Sequence, residues 1–243
     1  MKKILILCFV IIALLFQYGC TKKNALETTP EVPENLDNLY QSAIIDAMVA
    51  DSSEICDSLL AINHNNSKLV WKTINGEEYV LVGNFNKYPS TYSDTSLINS
   101  WGLIWVFIPT QFKNRITSIQ NNDTLLRMRQ MLGLPPSNTN NYIVELWVKP
   151  EDIFRPSSDS EIDDNSAGLY FPNNADTNYI TWFNQNIYDS YFGSWTHYPW
   201  TRLGYTYDWA KSASEVGVSE FCIKANSLLY VEKLDLATKY LNN

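Results

Sequence analysis

Residues 69–82 read Leu69-Val70-Trp71-Lys72-Thr73-Ile74-Asn75-Gly76-Glu77-Glu78-Tyr79-Val80-Leu81-Val82. Two runs rich in β-branched, aromatic and apolar residues flank Asn-Gly. That dipeptide tolerates the positive φ angles of a tight two-residue turn, so the stretch predicts a β-hairpin. Downstream, Leu103 to Ile108 is apolar throughout and stops at Pro109. An apolar run of strand length predicts a central strand buried on both faces. Tyr142 to Val148, Val216 to Lys224 and Leu228 to Leu236 read as further strands.

Helical patterns surround these strands. Between Leu36 and Ile62 apolar residues recur at three and four, which predicts a helix over about 37–49. Asp51-Ser52-Ser53-Glu54 supplies a fresh cap for a second short helix running to about Ala61. Residues 110–132 read as helical with a break at Asn121-Asn122. Asp123 or Thr124 caps the second part, and Gly133 with Pro135-Pro136 closes it. Pro150-Glu151-Asp152 opens a single helical turn. Asp176 to Phe192 is an aromatic-rich helix. No repeat of solenoid length appears. These elements predict one α+β domain with a mixed or antiparallel sheet, N-terminal helices and an aromatic-rich irregular segment.

The chain begins differently. Lys2 and Lys3 precede an uninterrupted apolar run, Ile4 to Phe16, followed by Gln17-Tyr18-Gly19-Cys20. A basic start and a short apolar core make a secretory signal, too short for a comfortable transmembrane span. A small residue directly before a cysteine resembles the lipobox of bacterial lipoproteins. Gln17 and Tyr18 depart from that family's usual residues. The resemblance implies cleavage before Cys20, acylation of its thiol, and a mature protein held to a membrane by lipid. Residues 1–19 are then the signal peptide. Residues 20–36, with two prolines and few apolar side chains, form a flexible tether, and 37–243 the globular domain. Thr21-Lys22-Lys23 lacks the acidic run that some surface-exported lipoproteins carry, which places the domain in the cell envelope on the periplasmic side of the outer membrane.

Removing residues 1–19 takes away two lysines, leaving 16 basic against 26 acidic residues. Such a chain neutralises phosphates poorly, so nucleic acid is excluded as a partner. Besides Cys8 and Cys20, only Cys56 and Cys222 remain. An oxidising envelope permits a disulfide between them, worth about 4–5 kcal/mol on the loop-entropy model. Two buried free thiols are the alternative, since both neighbour apolar residues.

Residues 170–209 hold 14 of the 33 aromatics. Four segments stand out: Leu-Gly-Leu-Pro-Pro at 132–136, Trp-Val-x-Pro-Glu-Asp-x-Phe-Arg-Pro at 147–156, Pro-Trp-Thr-Arg-Leu-Gly-Tyr-Thr-Tyr-Asp-Trp at 199–209 and Gly-x-Ser-Glu-Phe at 217–221. Together they resemble an uncharacterised bacterial protein family over about residues 100–225. The resemblance implies no activity.

Two readings of function stay open. In the first the protein is a non-enzymatic binding domain for a glycan, peptide or protein. Trp195, Trp200, Arg202 and Tyr207 then form its ligand-binding surface, with Asp208 adding an orienting hydrogen bond. The same rings could instead fold inward over the sheet, with Arg202 paired to a buried carboxylate. In the second reading the protein is an envelope hydrolase or transferase centred on His197, Arg202, Asp208 and Glu220, with His197 as general base.

Several chemistries fail on the sequence. His64 and His197 are the only histidines, which excludes a multi-histidine metal site. His64 sits in an asparagine-rich polar loop. Asp159 to Asn165 alternates oxygens as calcium loops do, but Asp164 and Tyr170 stand where the loop glycine and closing glutamate belong. Gly217 to Phe221 starts like a nucleophile elbow and lacks its last glycine. No metal and no cofactor is expected.

Overall fold

Asn75 and Gly76 turn the chain with φ of 54° and 86°, the two positive values a type I′ hairpin needs. They join β1 (Trp71–Ile74) to β2 (Glu77–Asn86). The computed structural model describes residues 35–117, 123–211 and 213–241. The signal peptide, Cys20 and nearly all of the tether lie outside the described residues, as do Asn121 and Asn122. The folded unit runs Asn35–Asn243.

The other strands are β3 (Ser96–Ile98), β4 (Ile104–Phe107), β5 (Tyr142–Val148), β6 (Ile153–Phe154), β7 (Tyr205–Tyr207), β8 (Val216–Ile223) and β9 (Leu228–Leu236). They build a nine-stranded sheet in the order β3-β9-β5-β2-β4-β8-β6, with β1 joined to β2 and β7 to β8. Every described pairing is antiparallel. The fold is α+β, and β4 holds the central place its apolar sequence predicts.

Strand alternation separates two faces. On one, Val80, Val82, Val106, Val144, Leu146 and Phe221 form the larger core. Leu60, Ile62 and Leu69 cover it from the segment after the first helix. On the other, Phe85, Phe107, Ile143 and Val218 meet α2 (Pro109–Thr117), α3 (Thr124–Met131) and α5 (Ala237–Tyr240) through Phe112, Met128 and Tyr240. Asp123 caps α3 by accepting from the Leu126 amide at 2.9 Å. Helix α1 (Leu36–Ala47) packs separately, on Tyr191, Tyr207 and Trp209. Helix α4 (Thr177–Tyr191) is capped by Asp176. Among the described residues no helix is long and apolar enough to cross a membrane.

One expected helix is absent. After α1 the chain makes a single 3-10 turn, Ser52–Glu54, and then runs irregularly to β1. Its backbone groups find partners far away in sequence. The Leu59 amide donates to the Asn165 carbonyl at 2.9 Å, and the Leu60 amide to Ser219 Oγ at 2.8 Å. Leu59 to Ile62 are all buried. Long-range pairing therefore overrides the local helical pattern.

The Cys56–Cys222 disulfide is also absent. Both thiols are free. Cys222 is buried in β8, and Cys56 sits 3.3 Å from Ser58 Oγ in the irregular segment.

Candidate functional site

Strands β2 and β4 touch at one registered pair, Gly83 with Phe107. A Cβ on Gly83 would lie 2.5 Å from the Phe107 ring, so only glycine admits that ring. Beyond this pair the strands part. β2 continues against β5 and β4 against β8. The Asn84 side-chain amide spans the gap and donates to the Trp105 carbonyl at 2.9 Å. A cleft of about 600 Å³ opens here, between the parted strands, α4 and the irregular segment 195–200.

Its walls are aromatic. Trp105 and Trp200 meet edge to face at 6.1 Å, and Trp195 and Tyr198 line the same cleft from the exposed side. Trp200 is 5% exposed and Trp195 76%. Tyr191 holds the buried part in place, its hydroxyl donating to the carbonyls of Ala47 and Trp200. A bridge between Trp200 and Thr206 completes the support.

Three polar groups lining the cleft lack a protein partner. Asn84 Oδ1 and Trp200 Nε1 are buried and unsatisfied. Buried polar atoms without partners are uncommon and call for an explanation. The third is Glu220. Its neighbours Phe107 and Cys222 share its face of the sheet, and among the described residues no hydrogen bond or ion pair reaches its carboxyl. One side of Glu220 opens on the cleft, yet the group sits deep among protein atoms. Burial lifts its pKa to about 8. The carboxyl is therefore mostly protonated at neutral pH and has a proton to donate.

The four residues expected as a catalytic centre are not assembled into one. Of His197, Arg202, Asp208 and Glu220, only Glu220 lines the cleft. His197 Nε2 donates to the Gly193 carbonyl at 2.9 Å, within its own loop. Arg202 Nη2 donates to the Ala47 carbonyl at 2.8 Å, and its guanidinium lies over the Tyr191 ring. Asp208 is buried in an ion pair with Arg127. Of the expected binding residues Trp195, Trp200 and Tyr207 line the cleft, and Arg202 does not. Tyr207 gives its hydroxyl to Asp46 at 2.9 Å.

Sequence reasoning missed Trp105 and Asn84. Trp105 reads as one more apolar residue of a central strand. Asn84 carried a signal, a lone amide inside the apolar run Val80 to Phe85. Gly217 to Phe221 lies within β8, and the Ser219 hydroxyl accepts from Leu60 at 2.8 Å, so no nucleophile elbow forms. His64 is exposed, stacked on Trp71 and 3.1 Å from Glu78.

In the acidic loop, oxygens of Asp159, Glu161 and Asp164 come within 4.8 Å of one another. Arg155 supplies the positive charge there. It is fully buried, its Nε donates to the Glu161 carbonyl and its Nη2 to the Asp164 carbonyl at 2.9 Å. Burial raises the Asp159 pKa and the charge on Asp159 raises that of Glu161.

No protein-family model, curated protein or solved structure matches the chain.

Proposed function

We propose that this protein is an envelope lipoprotein, anchored through Cys20 on the periplasmic side of the outer membrane, whose cleft binds a neutral glycan. The observation that carries the binding reading is the pairing of aromatic walls with unpartnered polar groups. Trp105, Trp195 and Tyr198 offer apolar ring surface, while Glu220, Asn84 Oδ1 and Trp200 Nε1 offer two acceptors and two donors. A sugar ring has that same division, an apolar C–H face and a rim of hydroxyls. The charge of the cleft supports neutrality in the ligand. Glu220 is mostly uncharged at pH 7, and Lys87 and Asp189 oppose each other in sign around the opening.

Tryptophan fluorescence titration against neutral oligosaccharides tests the reading, since five of the lining residues are Trp or Tyr. Saturable quenching that Glu220→Ala and Asn84→Ala weaken is the expected result. No response to any neutral glycan in the unmodified protein ends it. The anchor is tested by Cys20→Ser, which should abolish palmitate labelling and release the protein from membranes. Unchanged labelling overturns it.

One observation favours an enzymatic second reading. Asp189 lines the same cleft as Glu220, and glycoside hydrolysis works with two carboxyl residues flanking the bond to be cut. Release of reducing ends from a bound glycan, lost in Glu220→Gln, would distinguish a hydrolase from a binder.

A further inference from the structure

The aromatic lining continues past Trp200. Trp182 lies 6.1 Å from Trp200, and Phe154 lies 5.1 Å from Trp182. Phe154 and Trp182 wall a second cavity of about 540 Å³, together with Tyr179 and Leu103.

Three elements line both cavities in the same order. On β4 and the residues before it, Phe107 and Trp105 line the first cavity and Leu103 the second. On β8 and the residue after it, Glu220 lines the first and Lys224 the second. On α4, Asp189 and Asn186 line the first, and Trp182 and Tyr179 the second. Alternate strand residues share one face, and helix residues three or four apart share another. The two cavities therefore lie end to end along one trough, roofed by α4 and floored by β4, β8 and β6. Strand rise places Lys224 about 13 Å from Glu220. Helical rise places Tyr179 about 10–15 Å from Asn186 and Asp189. The two independent measures agree.

Trp182 and Phe154 are only partly buried, so their rings serve as surface as well as core. The second cavity also carries polar groups, among them Ser160, Asp176 and Lys224.

We propose that the trough takes a linear glycan, with one sugar seated against Trp200 and Glu220 and the chain running along α4 over Trp182 and Phe154. This rests on the glycan reading of the first cavity and adds polymer length as the property recognised. A monosaccharide fills one cavity; an extended chain occupies both.

The test uses the full chain and homologous series, from mono- to hexasaccharide, of β-1,4-linked glucose, β-1,4-linked N-acetylglucosamine and α-1,4-linked glucose. Affinity in the preferred series should rise at least tenfold with length and then level. Ala175→Trp, which fills the second cavity from its edge, and Trp182→Ala should remove that gain and leave the affinity of the shortest binding member unchanged. Far-ultraviolet circular dichroism identifies a variant that has not folded; Ala175→Trp adds bulk at a partly exposed loop residue and keeps the test available if Trp182→Ala fails. Equal affinity at all lengths, or a gain that survives Ala175→Trp, overturns the extended site while leaving the first cavity as a binder. Absence of binding by every member of every series overturns both.

Discussion

Arg127 and Asp208, 81 residues apart, meet as a two-pronged buried pair: Nη1 donates to Oδ1 at 2.9 Å and Nη2 to Oδ2 at 2.5 Å. Both residues are almost fully buried. The pair ties α3 to the end of the 199–209 segment, and Thr206 Oγ1 donates to the Met131 carbonyl beside it. The wall of the cleft is thus braced from behind by a charge pair that takes no part in its chemistry.

Removing one member leaves an uncompensated buried charge. Arg127→Ala and Asp208→Ala should each cost about 3–5 kcal/mol. Replacing both by apolar residues of similar volume, as in Arg127→Met with Asp208→Leu, should cost less than either. Urea unfolding of the three variants checks this. Additive losses would mean the two side chains contribute through separate contacts.

Trp195 and Trp200 should behave differently although only five positions separate them. Trp200 is buried against Trp105 and Phe183, so Trp200→Ala should cost about 3–5 kcal/mol. Trp195 is largely exposed, and its truncation should leave stability within about 0.5 kcal/mol while weakening ligand capture at the mouth of the cleft. Equal destabilisation of both variants would place Trp195 in the core in solution.

The sequence made legible what is local in origin. Asn75-Gly76 fixes its turn by its own backbone preferences, and Asp123 and Asp176 cap the helices they precede. The apolar run of β4 announced a central strand for the same reason. Elements defined by distant partners stayed hidden. β6 and β7 are two and three residues long and exist through pairing with β8. Leu59 to Ile62 carry a helical pattern, but the amides of Leu59, Leu60 and Ile62 go to Asn165, Ser219 and Ile162. The cleft is hidden for that reason too. It arises where β2 and β4 part, and it joins Asn84 to Glu220 across 136 positions. Arg202 and Asp208 were legible as polar residues among aromatics, and nothing local distinguishes a binding guanidinium from one that donates to Ala47.

Cys56 and Cys222 should both react with a thiol reagent in the unfolded, unreduced protein. In the native state Cys56 should react and Cys222 should not, because burial, then the nearby Glu220, push the Cys222 pKa well up. Reductant should leave the thermal midpoint unchanged. A drop in midpoint on reduction would show a bond that the structure lacks.

Glu220 gives the stability of the fold a pH dependence of known sign. Its carboxyl titrates at about 8 in the folded protein and near the ordinary value of 4.5 in the unfolded chain. Folding therefore holds a proton that unfolding releases. The stabilisation is fully present below the unfolded value, declines as the pH rises through the interval, and is lost above about 8. The total cost is on the order of a few kcal/mol, moderated by water entering the cleft. Two titratable groups near it stay uncharged across this window. Tyr191 is pushed above its usual range by burial, as is Cys222. Glu220→Gln should flatten the slope between about pH 5 and 8 and be more stable than the parent at pH 9. It should also uncouple binding from pH, because the amide still donates where the ionised carboxylate cannot. Thermal midpoints and glycan affinity measured across that range in both proteins decide the matter. A parent whose stability does not fall with pH, or a Gln variant that falls in parallel with it, would remove Glu220 as the titrating group.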